Sequence, residues 1–235
     1  MKKSFKSFNH SLFKYFCSKI RYRSDSSIGE ITISNAEKRN ALSHSIINEL
    51  SNKISDIEEF VSPPKVIILS SDGSVFSSGH DLHELLHSKE KEKIMKDCCD
   101  LMKKIRKSKL IFIAEVHGLA TAAGFQLVEA CDLIVASSKA SFSIPGLKIG
   151  LYASTPAVEI IENIPRKIAF DILLKGSIYS TREAYNYNFI NYVVDLDHIN
   201  NLVKEKEILR DFTLNLVEKI NNNDMIGLKQ TMFKD

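Results

Sequence analysis

Residues 111–132 constrain the fold more than any other stretch of this 235-residue chain. The apolar run from Ile111 to Val116 predicts a buried strand. A turn of glycine, alanine and threonine follows, and Phe125 to Ala130 predict the first turns of a buried helix. Small residues let the backbone approach a ligand, and a helix start leaves N–H groups without partners. The stretch alone fits equally a packed connection and a turn that holds an oxyanion.

A second stretch, residues 75–85, repeats the same order of elements. A strand over residues 65–70 precedes it, a loop of small residues follows, and Asp81 opens a helix. Two loops of this kind in one chain favour the ligand-holding interpretation over a chance packing turn.

Along the whole chain, short strands alternate with helices. Strands are predicted at residues 27–34, 65–70, 111–116 and 132–137, with an edge strand at 141–143. Helices are predicted after Ser43, over 81–109, from Thr155, after Ser180 and over 198–220. This alternation, without a dinucleotide-binding glycine fingerprint or an interdomain linker, predicts one wound α/β domain over residues 25–235.

The first 24 residues differ in composition from the rest. They contain seven basic residues, no acid and several phenylalanines at near-helical spacing, which is typical of a mitochondrial transit peptide. A disordered basic tail is the alternative, and both interpretations place residues 1–24 outside the fold. The remaining chain carries 25 basic and 29 acidic residues, a mildly acidic balance that argues against a nucleic-acid partner.

Cysteine spacing and hydropathy exclude further classes. The four cysteines show no metal-ligand spacing and no pattern of a disulfide framework, so we expect no metal site and a reducing compartment. No apolar run has the length that a membrane span needs.

Four motifs resemble the enoyl-CoA hydratase/isomerase (crotonase) superfamily, and the resemblance extends over roughly residues 28–232. They are Asn40-Ala-Leu-Ser43, Phe76-Ser-Ser-Gly-His-Asp-Leu82, Val116-His-Gly-Leu-Ala-Thr-Ala-Ala-Gly-Phe-Gln-Leu127 with Cys131-Asp132, and Phe142-Ser-Ile-Pro-Gly-Leu-Lys-Ile-Gly150. The resemblance implies an α/β fold that is a spiral of β-β-α units, a CoA thioester as ligand, no cofactor, and a homotrimer or hexamer. The sequences of these motifs are most similar to those of a mitochondrial subgroup of the superfamily. This similarity implies a protein of the mitochondrial matrix that acts in fatty acid metabolism.

The resemblance also implies specific site residues. The backbone N–H groups of His80 and Ala123 correspond to an oxyanion hole, in which two donors converge on the thioester oxygen. Backbone at His80, Asp81, Leu82 and His83 is expected along the thioester and pantetheine path, with Ala41 near the CoA end. For the side chains of His80, Asp81 and His83, a helix cap and a solvated face is the alternative interpretation.

Two departures from the family pattern bear on the chemistry. Hydratases of this superfamily use two glutamates, and the corresponding positions here are Gln126 and Gly146. Neither can exchange a proton near neutral pH, which argues against hydration by two glutamates. Glu129 is a candidate replacement base because it lies three residues after Gln126, near the same helix face. The other polar candidates at loop ends are His80, His117, Ser154 and Thr155.

Two functional hypotheses follow. The first is an enzyme that isomerises, decarboxylates or hydrolyses an acyl-CoA. The second is a catalytically silent acyl-CoA binding or scaffolding protein, consistent with Gln126 and Gly146. The chain ends at Asp235, before helices that the resemblance implies, so a shortened C-terminal helical part is expected.

Overall fold

The computed structural model describes residues 18–25, 27–151, 154–221 and 229. Its centre is a six-stranded sheet in the order β1-β2-β3-β4-β6-β9. The strands of this sheet are β1 (Ile20–Ser24), β2 (Ile28–Ile33), β3 (Val66–Ser71), β4 (Ile111–Val116), β6 (Leu133–Ser137) and β9 (Tyr192–Val194). Only the β1–β2 pair is antiparallel.

A second, smaller sheet has the order β5-β7-β8. Its strands are β5 (Leu119–Thr121), β7 (Ser141–Ser143) and β8 (Tyr179–Ser180). Two turns of the chain place one strand in the large sheet and the next in the small one before a helix, namely β4 then β5 and β6 then β7. Isolated bridges from Leu42 to His80 and from Ser77 to Ala120 extend this second layer towards the earlier loops.

Helices cover both faces of the large sheet. They are α1 (His44–Glu58), α2 (Leu82–His87), α3 (Lys91–Lys107), α4 (Ala123–Glu129), α5 (Ser154–Asn163), α6 (Arg166–Lys175), α7 (Thr181–Asn186) and α8 (Leu202–Asn221). Helices α1 and α3 belong to the main hydrophobic core, which continues through α4. Helix α8 packs on the opposite face, against Val66, Ile113 and Val135. The expected caps are present, because Ser43 Oγ accepts from Ile46 N–H and Ser180 forms a capping box with Glu183.

Helix α4 is fixed to the second layer by aromatic packing. The Phe125 ring lies 5.3 Å from Phe142 and 5.5 Å from Phe189, measured between centroids. All seven residues of α4 are buried. The predicted buried helix is therefore confirmed, and it is held between the two layers.

Several expected boundaries were wrong. Residues 20–24, placed outside the fold with the leader, form β1, whose Ile20 is 3% exposed and pairs with Ile33. Here Arg21 and Arg23 form ion pairs with Asp72 and Glu30. Residues 1–17 lie outside the described residues, as does most of the chain after Asn221.

Three further elements differ from expectation. The predicted helix over residues 81–109 is two helices, because the chain ends α2 at His87 and restarts at Lys91. Strand β7 is not an edge strand, because it lies between β5 and β8 in the small sheet. The C-terminal helix begins at Leu202 instead of residue 198.

Candidate active site

The two small-residue loops lie side by side. Ser77 N–H donates to the Leu119 carbonyl over 3.2 Å, and Thr121 N–H donates to the Ser77 carbonyl over 3.0 Å. Ser77 therefore pairs with Ala120 as neighbouring parallel strands do. His80 and Ala123 each follow three residues after this bridge, so their amides occupy equivalent positions in the two loops.

The residue before each of these amides has a positive φ. Gly79 has φ +83°, and Ala122 has φ +52° and ψ −124°. Such a conformation costs a non-glycine residue about 1–3 kcal/mol and persists only where the surroundings enforce it. At Ala122 they do, because Ala122 N–H donates to the Ser143 carbonyl over 2.9 Å.

Two glycines permit the close approach of the loops. A Cβ atom at Gly124 would lie 2.6 Å from both Ser77 Cβ and the Ser77 carbonyl oxygen. A Cβ atom at Gly79 would lie 2.9 Å from Ala122 Cβ and 3.0 Å from the Ala123 nitrogen. The Gly79–His80 peptide and the Ala123 amide are consequently neighbours in space.

Asn40 stabilises the first loop through its side chain and its backbone carbonyl. Its side-chain amide donates to the carbonyls of Asp72 and Val75 over 2.7 and 2.8 Å, and its backbone carbonyl accepts from Ser77 Oγ over 2.8 Å. Asn40 is 1% exposed. Asn40 belongs to the same sequence motif as Ala41, but its hydrogen bonds to the first loop could be recognised only in the three-dimensional structure.

The amides of His80 and Ala123 both lack a backbone acceptor within the described part of the chain. Ala123 is the first residue of α4, so no carbonyl of its own helix is available to it. Two free donors on adjacent loops are the arrangement that can stabilise a negatively charged oxygen.

The remaining first-loop candidates surround this point. Leu42 N–H donates to the Gly79 carbonyl over 2.7 Å, which brings the buried Ala41 close to the loop. Asp81 caps α2 by accepting from Glu84 N–H, and this hydrogen bond lowers the pKa of Asp81. Leu82 and His83 are exposed on α2, where His83 stacks on His87 at 4.4 Å between ring centroids.

The His80 imidazole differs from these surface groups. Neither of its ring nitrogens makes a hydrogen bond of ordinary geometry among the described residues, although both are buried. Burial lowers the pKa of His80 below its ordinary value of 6.5, and the nearby Leu42 backbone opposes this shift only in part. The ring is therefore neutral near pH 7.

Gln126 and Glu129 project from α4 into its interface with α5. Gln126 is 1% exposed, and its Nε2 donates to the Thr155 carbonyl over 3.2 Å. Glu129 is 4% exposed, and its pKa is raised well above 4.5, first by burial and then by the charge of Glu159. The protonated form of Glu129 is thus favoured, which is the form in which a carboxyl group can donate a proton.

Glu159 was missed in the sequence. It is 3% exposed on α5, and its Oε2 lies 3.2 Å from Arg106 Nη1 on α3. The available signal was its position four residues after Thr155, which places both on one face of α5. That this face meets α4 could not be read from the chain.

The other candidates lie apart from this cluster or add no titratable group to it. Gly146 begins a short 3₁₀ helix over Gly146–Ile149 and contributes no side chain. His117 is buried on another side, where its Nε2 donates to the Gly73 carbonyl and burial lowers its pKa to about 4. Ser154 is the first residue of α5.

A groove of about 1140 Å³ does not include the predicted site. It lies on the α8 side of the large sheet, where Arg21, Glu115, Lys206 and Arg210 line it with His117. The free amides and the buried carboxyl groups lie instead in the α4 region.

Metal and membrane features are absent from the described part of the chain. In residues 18–25, 27–151, 154–221 and 229, no three histidine, cysteine, aspartate or glutamate side chains are grouped as metal ligands. Across the same described residues, no helix combines the length and apolar character needed to traverse a bilayer.

Comparison with known proteins gives a family and several relatives. The family described as Enoyl-CoA hydratase/isomerase matches residues 23–230. Enoyl-CoA hydratase domain-containing protein 3, mitochondrial, from Rattus norvegicus is 43% identical over 176 residues, which are 73% of this chain and 58% of that protein. The Danio rerio protein of the same name is 37% identical over 212 residues, or 88% of this chain and 69% of that one. The aligned part of the chain therefore spans less than two thirds of the rat relative.

Solved structures whose names include enoyl-CoA hydratase are similar to this chain in fold and in sequence. The crystal structure of human enoyl Coenzyme A hydratase domain-containing protein 3 has a TM-score of 0.81 and 35% identity, covering 92% of this chain and 83% of that one. An enoyl-CoA hydratase of Mycobacterium smegmatis has a TM-score of 0.83 and 32% identity, covering 92% and 82%.

Proposed function

Because the chain belongs to the enoyl-CoA hydratase/isomerase family, we propose that it binds an acyl-CoA thioester and polarises the carbonyl with the backbone amides of His80 and Ala123. The predicted family, mitochondrial subgroup and spiral α/β fold are confirmed. The single observation that carries the proposal is the pairing of two loops whose equivalent amides both lack backbone acceptors among the described residues.

A polarised thioester makes several reactions accessible. Negative charge on the carbonyl oxygen develops when the α-carbon loses a proton or when a nucleophile adds to the carbonyl. Each donor aimed at that oxygen contributes about 3–4 kcal/mol of transition-state stabilisation. Donors from the backbone need no particular side chain, only the close approach that Gly79 and Gly124 permit.

The reaction proposed is a proton transfer at the acyl chain and not hydration by two glutamates. Gln126 and Gly146 provide no acid or base at the two positions where the family's hydratases carry one. The same two residues favour a second candidate function, catalytically silent acyl-CoA binding or scaffolding. Turnover of any acyl-CoA that is lost in a variant of the buried carboxyl groups would eliminate the silent candidate.

The proposed location is the mitochondrial matrix, in fatty acid metabolism. The names of the rat and zebrafish relatives include the word mitochondrial, and the acid-free basic segment of residues 1–24 supports import. A fluorescent protein fused behind residues 1–24 should enter mitochondria. Fluorescence that stays in the cytosol would contradict this part of the proposal.

Assembly into a homotrimer or hexamer is also part of the proposal. Exposed apolar side chains on α5 and α6 support it, namely Val158, Ile161, Phe170 and Leu174. Light scattering of the purified chain should give three or six times the monomer mass.

Titration calorimetry tests the ligand class. The chain should bind butyryl-CoA more tightly than the S-butyl thioether of CoA, because the thioether has no carbonyl oxygen for the two amides. Equal affinities would remove the oxyanion role, and absence of binding for both would remove the acyl-CoA proposal.

A further inference from the structure

We propose that Glu159 on α5 and Glu129 on α4 form the base and acid pair that moves a proton between the acyl α-carbon and solvent. The inference rests on the proposed function and adds the residues that carry the proton. Neither position corresponds to the two glutamates of the family pattern, which are Gln126 and Gly146 in this chain.

A polar stripe joins the two helices. Thr155, Glu159 and Asn163 recur at four-residue spacing along α5, and Gln126 and Glu129 recur at three along α4. Gln126 Nε2 donates to the Thr155 carbonyl over 3.2 Å, and Asn163 Nδ2 donates to the Glu129 carbonyl over 2.9 Å. These bonds hold the stripe in register with Glu159 between them.

Several polar atoms of this stripe are buried without a hydrogen-bond partner among the described residues. They are Gln126 Oε1, Glu129 Oε1, Thr155 Oγ1 and Glu159 Oε2, the last of which has only its ion pair with Arg106. An unsatisfied buried polar atom is costly, and in native proteins such an atom commonly binds an ordered water molecule or takes part in function. Four such atoms at one helix interface indicate a site for water or for polar ligand atoms.

Arg106 makes the electrostatic environment of the Glu159 carboxyl group different from that of Glu129. Its guanidinium lies 3.2 Å from Glu159 and also pairs with Glu162, which faces solvent. Burial raises the pKa of Glu159 while the positive charge of Arg106 opposes that rise. The Glu159 charge in turn favours the protonated form of Glu129. Two carboxyl groups whose environments separate their pKa values are suited to acid and base roles.

The other titratable groups around the pair include a lysine and three thiols. Lys103 stabilises the Glu159 charge, and the thiols of Cys98, Cys99 and Cys131 have pKa values raised mainly by burial. The thiols therefore stay neutral near pH 7, so the charges around the pair are those of Arg106, Lys103 and Glu162, with Asp132 and Lys229 beside Cys131.

Glu159 and Glu129 lie between the proposed thioester site and a cavity. Gln126 lies three residues after Ala123, or about 4.5 Å along the α4 axis, and Glu129 lies about 9 Å along it. Glu129 borders a cavity of about 170 Å³ that is also lined by Asp132, Asn163, Asn188 and Asn191. Glu159 is accordingly the member beside Gln126, and Glu129 is the buried member that borders this cavity.

The step balances without a co-reactant. The Glu159 carboxylate takes a proton from the α-carbon, the C–H electron pair becomes the enolate, and the amides of His80 and Ala123 stabilise its oxygen. Glu129 then receives this proton from Glu159 as it releases its own proton to solvent through the cavity, so that both carboxyl groups return to their starting protonation states. Return of a proton to the α-carbon restores the thioester, so in D₂O the net result is replacement of hydrogen by deuterium.

Mass spectrometry of butyryl-CoA incubated with the full chain in D₂O tests the pair. The wild type should incorporate deuterium at the α-carbon, at a rate that falls as pH is lowered and Glu159 is protonated. Glu159→Gln should slow exchange by about 100-fold, because it removes the base. Glu162→Gln is the matched control, since it removes the other carboxylate paired with Arg106, and its rate should stay within about twofold of wild type.

Glu129→Gln keeps the test decisive if Glu159→Gln does not fold. It should also slow exchange, because the abstracted proton returns to the same carbon. Binding of butyryl-CoA without exchange, or exchange unaffected by both variants, would overturn the pair and leave the proposed function intact. Absence of butyryl-CoA binding would overturn both.

Discussion

Gly124 decides at the scale of one residue whether the two loops can meet. A methyl group there would gain about 1 kcal/mol in helix propensity, but it would lie 2.6 Å from two atoms of Ser77. Overpacking of this kind costs about 1–3 kcal/mol. We predict that Gly124→Ala lowers the free energy of unfolding in urea and weakens acyl-CoA binding. A more stable variant with unchanged affinity would contradict the close approach.

Glu129 gives a prediction whose sign follows from its raised pKa. Below pH 4.5 the carboxyl group is protonated in both folded and unfolded chains, so it has no effect on the pH dependence. As pH rises, the unfolded chain loses its proton first and stability falls, by about 1.4 kcal/mol per pH unit between the two pKa values. Glu129→Gln removes this loss. Its Tm advantage over wild type should therefore grow as pH rises above about 4.5, and a constant difference would contradict a carboxyl group held neutral.

Strand β1 carries the prediction at the scale of elements. A chain that begins at Asp25 would lack β1, expose the edge of β2 and lose the burial of Ile20. Burying an isoleucine contributes about 1.5–3 kcal/mol, and an open edge strand promotes aggregation. We predict a lower unfolding midpoint and more aggregation than for a chain that begins at Ser18. Equal behaviour of the two chains would contradict a structural role for β1.

The strands and helices also show which parts of the fold could be predicted from the sequence. An alternating pattern predicted the strand near residue 28, and largely apolar runs predicted the strands near residues 66, 111 and 133. Caps at Ser43 and Ser180 predicted the helices that follow them. All of these signals are local. The basic composition hid β1, since a strand whose arginines pair with Asp72 and Glu30 has the charge of a leader. The central position of β7 depends on strands far apart in sequence and could not be read locally.

For the candidate site, the backbone of the two loops could be predicted from the sequence, whereas the contacts between side chains could not. The loops were predictable because small residues at Gly79, Ala122 and Gly124 report backbone demands directly. The pairing of Glu159 with Arg106 and its approach to Glu129 depend on the meeting of three helices. No spacing within α5 specifies which helix its polar face will contact.

At the scale of the whole molecule, the spiral brings successive loops to one place. Two β-β-α turns return the chain to the small sheet, and bridges at Leu42, Ser77 and Ala120 align loops from different units. The proposed acyl-CoA site therefore depends on the relation between units, while α8 and the groove beneath it lie on the other face.

Carbon NMR of bound butyryl-CoA labelled with ¹³C at the carbonyl tests the central claim most directly. Two variants isolate one amide, namely Ala122→Gly and Ala122→Gly combined with Ala123→Pro. Glycine accepts the positive φ at residue 122, and proline at the first helical position removes the Ala123 N–H at little cost. We predict a downfield carbonyl shift on binding to the wild type and to Ala122→Gly, and a smaller shift in the double variant. A carbonyl resonance that does not move on binding to the wild type would contradict polarisation by these two loops.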